Sequence, residues 1–203
     1  MARPREFDTD TVLEAAMTTF WREGYESASV SDLVAATGIG RASLYNAFDD
    51  KHGLLEACIE RYAENRAPLW RGQLADGERG LDDIREFLNV VRGVFAASPE
   101  DAPKGCLIMN TSVERGATDP FVRKVAADYR AEFGDSFRAA LNRAVELGEI
   151  DGPIDGRAEV LVLSAMGLFM ALRAGADTAE LDRLIGGLEH LVDSWAVADE
   201  TRP

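Results

Sequence analysis

Between Arg41 and Lys51 the chain carries a guanidinium, a hydroxyl, a phenol, an amide and an ammonium, on Arg41, Ser43, Tyr45, Asn46 and Lys51. Displayed from one side of a helix, such groups are hydrogen-bond donors for phosphate oxygens and readers of base edges. The small residues Gly40, Ala42 and Ser43 would let that helix sit deep in a groove. A second reactive group is the Cys106 thiol. It follows Lys104 and Gly105 at the expected start of a helix, where the helix dipole and the lysine favour the nucleophilic thiolate; a buried, inert core thiol is the other reading. Cys58 lies on an apolar helical stripe and is read as packing. His52 and His190 are far apart and have no neighbours at metal-ligand spacing, so no metal and no cofactor are expected. No nucleophile–base set or phosphate loop is present, and no enzyme is expected.

The elements that must position these groups are helical throughout; no run of alternating β-branched residues occurs. A first helix is expected from about Asp8 to Glu23, ended by Gly24. Ser29 and Asp32 have capping-box spacing at the start of a second, short helix carrying Leu33, Val34 and Ala36. Gly38 supplies a turn, and a third helix covers about Arg41 to Ala47. Val30, Leu33, Val34, Ile39, Leu44 and Phe48 are spaced to lock the short pair against the first helix. A longer helix starts after Asp49 and Asp50, with Leu54, Leu55, Cys58, Ile59 and Tyr62 inward. This division, apolar residues fixing the angle and polar ones leading the second short helix, is what a helix-turn-helix requires.

Bulk composition neither makes nor breaks that reading. The chain has 203 residues, 46% hydrophobic and 29% charged, enough to bury a real core. Its formal net charge is −14, which argues against an indiscriminate polyanion binder but leaves room for a specific one with a few placed cations. Residues 1–64 hold six Lys or Arg and twelve Asp or Glu, a net of −6. Phosphate contacts must therefore come from few cations plus hydroxyls and amides, and a modest salt dependence is expected. The start, Met-Ala-Arg-Pro-Arg-Glu-Phe, has no apolar secretory region. The longest apolar stretch, Val160 to Leu172, falls short of the roughly 20 residues that span a bilayer. A cytoplasmic location with reduced thiols, and no membrane partner, is the expectation.

The run T-G-I-G-R-A-S-L-Y-N-A-F-D-D-K-H-G-L-L resembles the signature of TetR-type repressors, in which a glycine precedes a recognition helix followed by a lysine and leucines. The upstream A-A-M-T-T-F-W-R-E-G-Y-E-S-A-S-V-S-D-L matches the same family's first helix and its link to the second, so the resemblance covers roughly residues 8 to 64. Gly40 departs from it, standing where a serine cap is common. Asn46 also departs, standing where an aromatic or histidine is common, and Asn can pair bidentately with adenine. The resemblance implies an all-α fold of about nine helices. Residues 1–50 would form a three-helix DNA-binding domain and residues 51–203 a helical ligand-binding and dimerisation domain. The implied DNA-contacting set is Ser29, Thr37, Gly40, Arg41, Ala42, Ser43, Tyr45, Asn46 and Lys51.

Behind this part, helices are expected over about Leu81–Ala97, Gly105–Glu114, Asp119–Gly148, Arg157–Ala174 and Thr178–Ala198. Trp70, Phe87, Val91, Cys106, Met109, Asn110, Phe133, Phe137, Met166, Phe169 and Met170 are apolar, aromatic or, once, an amide. That composition suits a cavity for a small, mostly hydrophobic molecule, although stripes at helical spacing are more often plain core. The last two helices offer apolar faces, Ala165, Gly167, Leu168 and Ala171 on one and Leu181, Leu184, Leu188, Leu191 and Trp195 on the other. Paired across a two-fold axis they would join two chains and present two recognition helices to a near-palindromic duplex. The expected function is a DNA-binding repressor released by a small-molecule inducer. The alternative is a repressor switched by oxidants or electrophiles at Cys106.

Overall fold

In a computed structural model of the chain, residues 7–96 and 105–197 are described, the side chains of residues 66–71 apart. Lys104 and the side chain of Trp70 lie outside the described residues. The fold is all-α. In chain order the described helices are α1 (Thr9–Glu23), α2 (Val30–Thr37), α3 (Arg41–Phe48), α4 (Lys51–Trp70), α5 (Leu81–Ala96), α6 (Leu107–Arg115), α7 (Pro120–Glu146), α8 (Asp155–Arg173) and α9 (Thr178–Asp193). A π-helical turn, Arg71–Ala75, extends α4. The one extended feature among the described residues is an isolated antiparallel bridge between Ile150 and Ala196.

The helices sort into two compact units, Met1–Asn65 with Ala102–Ala127, and Arg66–Asp101 with Asp128–Pro203. Both α4 and α7 pass from one unit to the other along their length.

In the first unit local chemistry fixes where helices begin. Asp8 caps α1, accepting from the Asp10 amide at 3.0 Å and the Thr11 hydroxyl at 2.8 Å. Gly24, at φ 85°, ends it. The Ser29–Asp32 capping box forms at the start of α2: the Asp32 amide donates to Ser29 Oγ at 3.2 Å, and the Ser29 amide donates to Asp32 Oδ2 at 2.9 Å. The α1 stripe of Val12, Leu13, Ala16, Met17 and Phe20 is buried with Leu33, Leu44, Leu54, Leu55 and Ile59. Burying a leucine fully stabilises by about 1.5–3 kcal/mol, so this cluster fixes the angle between the short helices. Cys58 is fully buried here, its Sγ 3.6 Å from the Leu13 carbonyl, and burial and Glu14 push its thiol pKa up.

In the second unit an aromatic cluster forms the core. Phe87 meets Phe133 edge-on at 6.0 Å and Phe137 at 5.5 Å, and Phe133 meets Phe169 at 6.3 Å. The buried Asp83 carboxylate accepts from the Arg79 amide at 2.8 Å and from Arg143 Nη2 at 3.3 Å. Arg143 also donates to the carbonyls of Leu74 and Ala75, which holds the end of the π-helical turn.

The face of α8 and α9 left open differs from expectation. Ala165, Leu168 and Leu181, read as surface for a second chain, are buried within the unit. The exposed apolar stripe on α8 is instead Val160, Leu163, Gly167 and Met170, with Leu163 70% exposed. Gly167 on α8 and Leu184 on α9 do remain exposed, and Ala171, Leu188, Leu191 and Trp195 are half-buried.

Candidate nucleic-acid interface

Gly38, in the left-handed region at φ 69°, turns the chain between α2 and α3. Leu33 and Leu44, each without exposed surface, anchor the two helices, while Val30, Val34, Ile39 and Phe48 are half-buried around them. This leaves Arg41, Ala42, Ser43 and Asn46 exposed on α3, with Tyr45 half-buried. Gly40 caps α3 through its backbone, and no side chain caps the helix. The leading amides of α3 are thus open to a phosphate oxygen, where the helix dipole also favours an anion.

Arg41 is braced against its own helix. Its Nη2 lies 3.3 Å from the Tyr45 hydroxyl and its guanidinium 5.3 Å from the Tyr45 ring centroid. That arrangement spans one turn of α3 and restricts the rotamers open to the arginine. Ser29 is exposed but occupied by its capping box, which also holds the Asp32 carboxyl below its usual range through hydrogen bonds from the Ser29 side chain and amide. Thr37, half-buried, donates its hydroxyl proton to the Leu33 carbonyl at 2.7 Å, leaving only lone pairs to offer.

The turn into α4 is tight. Asp49 takes φ 65°, and Asp50 Oδ1 accepts from the Gly53 amide at 2.9 Å. A Cβ on Gly53 would collide with the Phe48 carbonyl, so glycine is required for this approach of α3 to α4. Lys51 opens α4 with its ammonium 4.4 Å from the Tyr25 ring centroid.

Around Tyr25 the sequence reading missed a cluster. Glu114, on α6, accepts from the Tyr25 amide at 2.9 Å and the Glu26 amide at 2.7 Å. Arg115 pairs with Glu26 at 2.6 Å and sits 4.8 Å from the Tyr25 ring centroid. His52, which the sequence leaves without a metal-spaced neighbour, lies 2.7 Å from Asp119 Oδ2. Burial pushes the Tyr25 phenol up, against the pull of Arg115, so the hydroxyl stays protonated. The partners lie 67 to 89 residues apart, and no local pattern announces them.

The residues expected to hold a ligand fall into two groups. Phe87, Val91, Phe133, Phe137 and Met166 are buried in the second unit, with Phe169 half-buried beside Phe133. Met170 points away from that core, 40% exposed on the α8 stripe. Cys106, Met109 and Asn110 belong to the first unit, where Cys106 is the fully buried N-cap residue of α6.

The arrangement has counterparts among known proteins. Residues 12–58 match the model of the tetR family of bacterial regulatory proteins, and residues 80–188 match that of the tetracyclin repressor-like C-terminal domain. The chain is 30% identical to the uncharacterized HTH-type transcriptional regulator YezE of Bacillus subtilis (strain 168), over 98% of this chain and 100% of that one. It is 29% identical to the HTH-type transcriptional repressor ComR of Escherichia coli (strain K12), over 91% and 88% of the two chains. The structure resembles that of the TetR family transcriptional regulator CifR, a cysteine mutant complexed with 26-base-pair operator DNA. That likeness has a TM-score of 0.79 and 28% identity and covers 96% of this chain and 100% of that one. With both of its parts matched, the chain belongs to the TetR family and is a helix-turn-helix, DNA-binding transcriptional regulator.

Proposed function

We propose that the protein is a dimeric repressor, acting in the cytoplasm, whose α3 reads a near-palindromic operator and which a small, mostly hydrophobic ligand releases. The observation that carries this is the exposed leading edge of α3, with uncapped amides, Arg41 braced on Tyr45, and Ala42, Ser43 and Asn46 open beside it. Arg41 and Asn46 read base edges; Ser43, Tyr45, Lys51 and the α3 amides meet phosphates; Ser29, Thr37 and Gly40 hold the approach. Residues 1–50 serve as the reading head and residues 51–203 as the sensing and pairing part. The repressor reading draws on ComR, which bears that name, and on CifR, seen with operator DNA.

The second chain packs across the stripe of Val160, Leu163, Gly167 and Met170 with Leu184 of α9. An apolar stripe of this kind on a soluble protein marks an association surface. A two-fold pair sets two α3 helices in successive major grooves. Ligand enters among Phe87, Phe133, Phe137 and Phe169, the aromatic cluster of the second unit, and shifts the spacing of the heads through α4. It can do so only by binding the two states unequally. The alternative switch, modification of Cys106, requires a reagent to reach a thiol with no exposed surface. Cys106→Ser separates the two: loss of response to oxidants would select the thiol, and an unchanged response would remove it.

The test is selection of duplexes from random sequence by the purified protein, followed by titration. An enriched inverted repeat bound by two chains is expected, and no enrichment would refute the reading.

A further inference from the structure

We infer that Glu114 and Arg115, at the end of α6, are positioning residues for DNA binding, acting through Tyr25 to place the Lys51 ammonium against a phosphate. This rests on reading Lys51 as a phosphate contact.

The chain of contacts lies within the first unit. The link between α1 and α2 offers two consecutive amides, those of Tyr25 and Glu26, and the Glu114 carboxylate accepts both, at 2.9 and 2.7 Å. A carboxylate receiving two amides is a charge-assisted, geometrically demanding contact. Gly24, at φ 85°, makes room for it: a Cβ there would stand 3.2 Å from Glu114 Oε2. Arg115 adds a second hold, pairing with Glu26 at 2.6 Å and lying 4.8 Å from the Tyr25 centroid. The ring so fixed stacks on Phe20 at 5.9 Å. It then receives the Lys51 ammonium at 4.4 Å.

A lysine is a flexible four-carbon stem with a point charge at its end. Holding it on a fixed aromatic face before DNA arrives lowers the ordering cost of a phosphate contact. Residues 1–64 hold six Lys or Arg against twelve Asp or Glu, so the placement of a single ammonium counts for more than it would in a basic segment. α6 thereby acquires a route to the operator that passes through two side chains and bypasses the length of α4.

The experiment uses full-length protein and a duplex that the unmodified protein selects from random sequence. Affinity is measured across a salt series for Lys51→Ala, Glu114→Ala, Tyr25→Leu, Tyr25→Phe, and for Glu114→Ala and Tyr25→Leu each combined with Lys51→Ala. Loss of one phosphate contact lowers the slope of log K against log salt by about 0.9. Lys51→Ala should show that loss. Glu114→Ala and Tyr25→Leu should each weaken binding several-fold and lower the slope towards the Lys51→Ala value, and neither should add to Lys51→Ala. Tyr25→Phe, which keeps the ring face, should behave as the unmodified protein. Should Glu114→Ala fail to fold by its thermal transition, the Tyr25 pair alone decides. If Tyr25→Leu leaves the slope intact, or costs as much without Lys51 as with it, the positioning role is wrong. If Lys51→Ala itself leaves the slope unchanged, the phosphate reading of Lys51 fails first, and the inference with it.

Discussion

His52 Nε2 lies 2.7 Å from Asp119 Oδ2, joining the first turn of α4 to the residue that opens α7. Asp119 is nearly buried and does two things at once, because its other oxygen accepts from the amides of Phe121 at 3.0 Å and Val122 at 3.2 Å. Asp119→Ala removes a helix cap and the contact with His52 together. We expect a stability loss of about 1–3 kcal/mol by urea denaturation, larger than for Ser29→Ala, whose exposed cap should cost about 1 kcal/mol.

The same carboxylate sets an acid limit. Burial alone would raise the Asp119 pKa, but the bond from His52 and the two amides outweigh it and hold it below the usual range. The folded chain therefore binds fewer protons here than the unfolded chain. That stability is present above the unfolded value of about 3.9 and is lost as pH falls through the lower folded value. The urea midpoint of the unmodified protein should fall more steeply below pH 4 than that of Asp119→Asn. Equal slopes would show that Asp119 gains nothing from its partners.

Gly53→Ala should disturb the interface by displacing backbone between α3 and α4. A methyl group there meets the Phe48 carbonyl, and backbone cannot swing aside as a side chain can. Forced overpacking costs about 1–3 kcal/mol. Thermal denaturation should register the loss, and operator affinity should fall as Lys51 shifts relative to α3. A variant as stable and as tight as the unmodified protein would contradict the geometry of this turn.

Leu163→Glu places a charge in the exposed stripe of α8, where the leucine is 70% exposed and contributes little to its own unit. Sedimentation should show a folded monomer in place of a dimer, with operator affinity lost accordingly. A dimer that survives would move the pairing surface elsewhere.

What was legible in the sequence was what is local. Ser29 with Asp32, Gly24 and Gly38 fix their elements within four residues, and each stands where the spacing put it. Leu33 and Leu44 were legible as anchors because a short amphipathic helix has one apolar side. α8 was not, because it is apolar on most sides. Ala165 and Leu168 read as well for a second chain as Val160 and Leu163, and only packing within the unit separates them. The Tyr25 cluster was hidden for a different reason. Glu114 and Arg115 look like solvated charges, and His52 like an isolated imidazole, until the fold brings the α1–α2 link to the end of α6.

The central claim, that α3 reads operator DNA, is tested most directly by anisotropy titration of the selected duplex and a scrambled duplex with the unmodified protein and Arg41→Ala. Two chains per selected duplex are predicted, with preference over the scrambled sequence of roughly 10³-fold or more. Arg41→Ala should cut that preference by about 1–3 kcal/mol while the scrambled duplex changes little. The salt slope should stay well short of about 10, as befits few phosphate contacts. Equal affinity for both duplexes, or a preference indifferent to Arg41, would contradict the account.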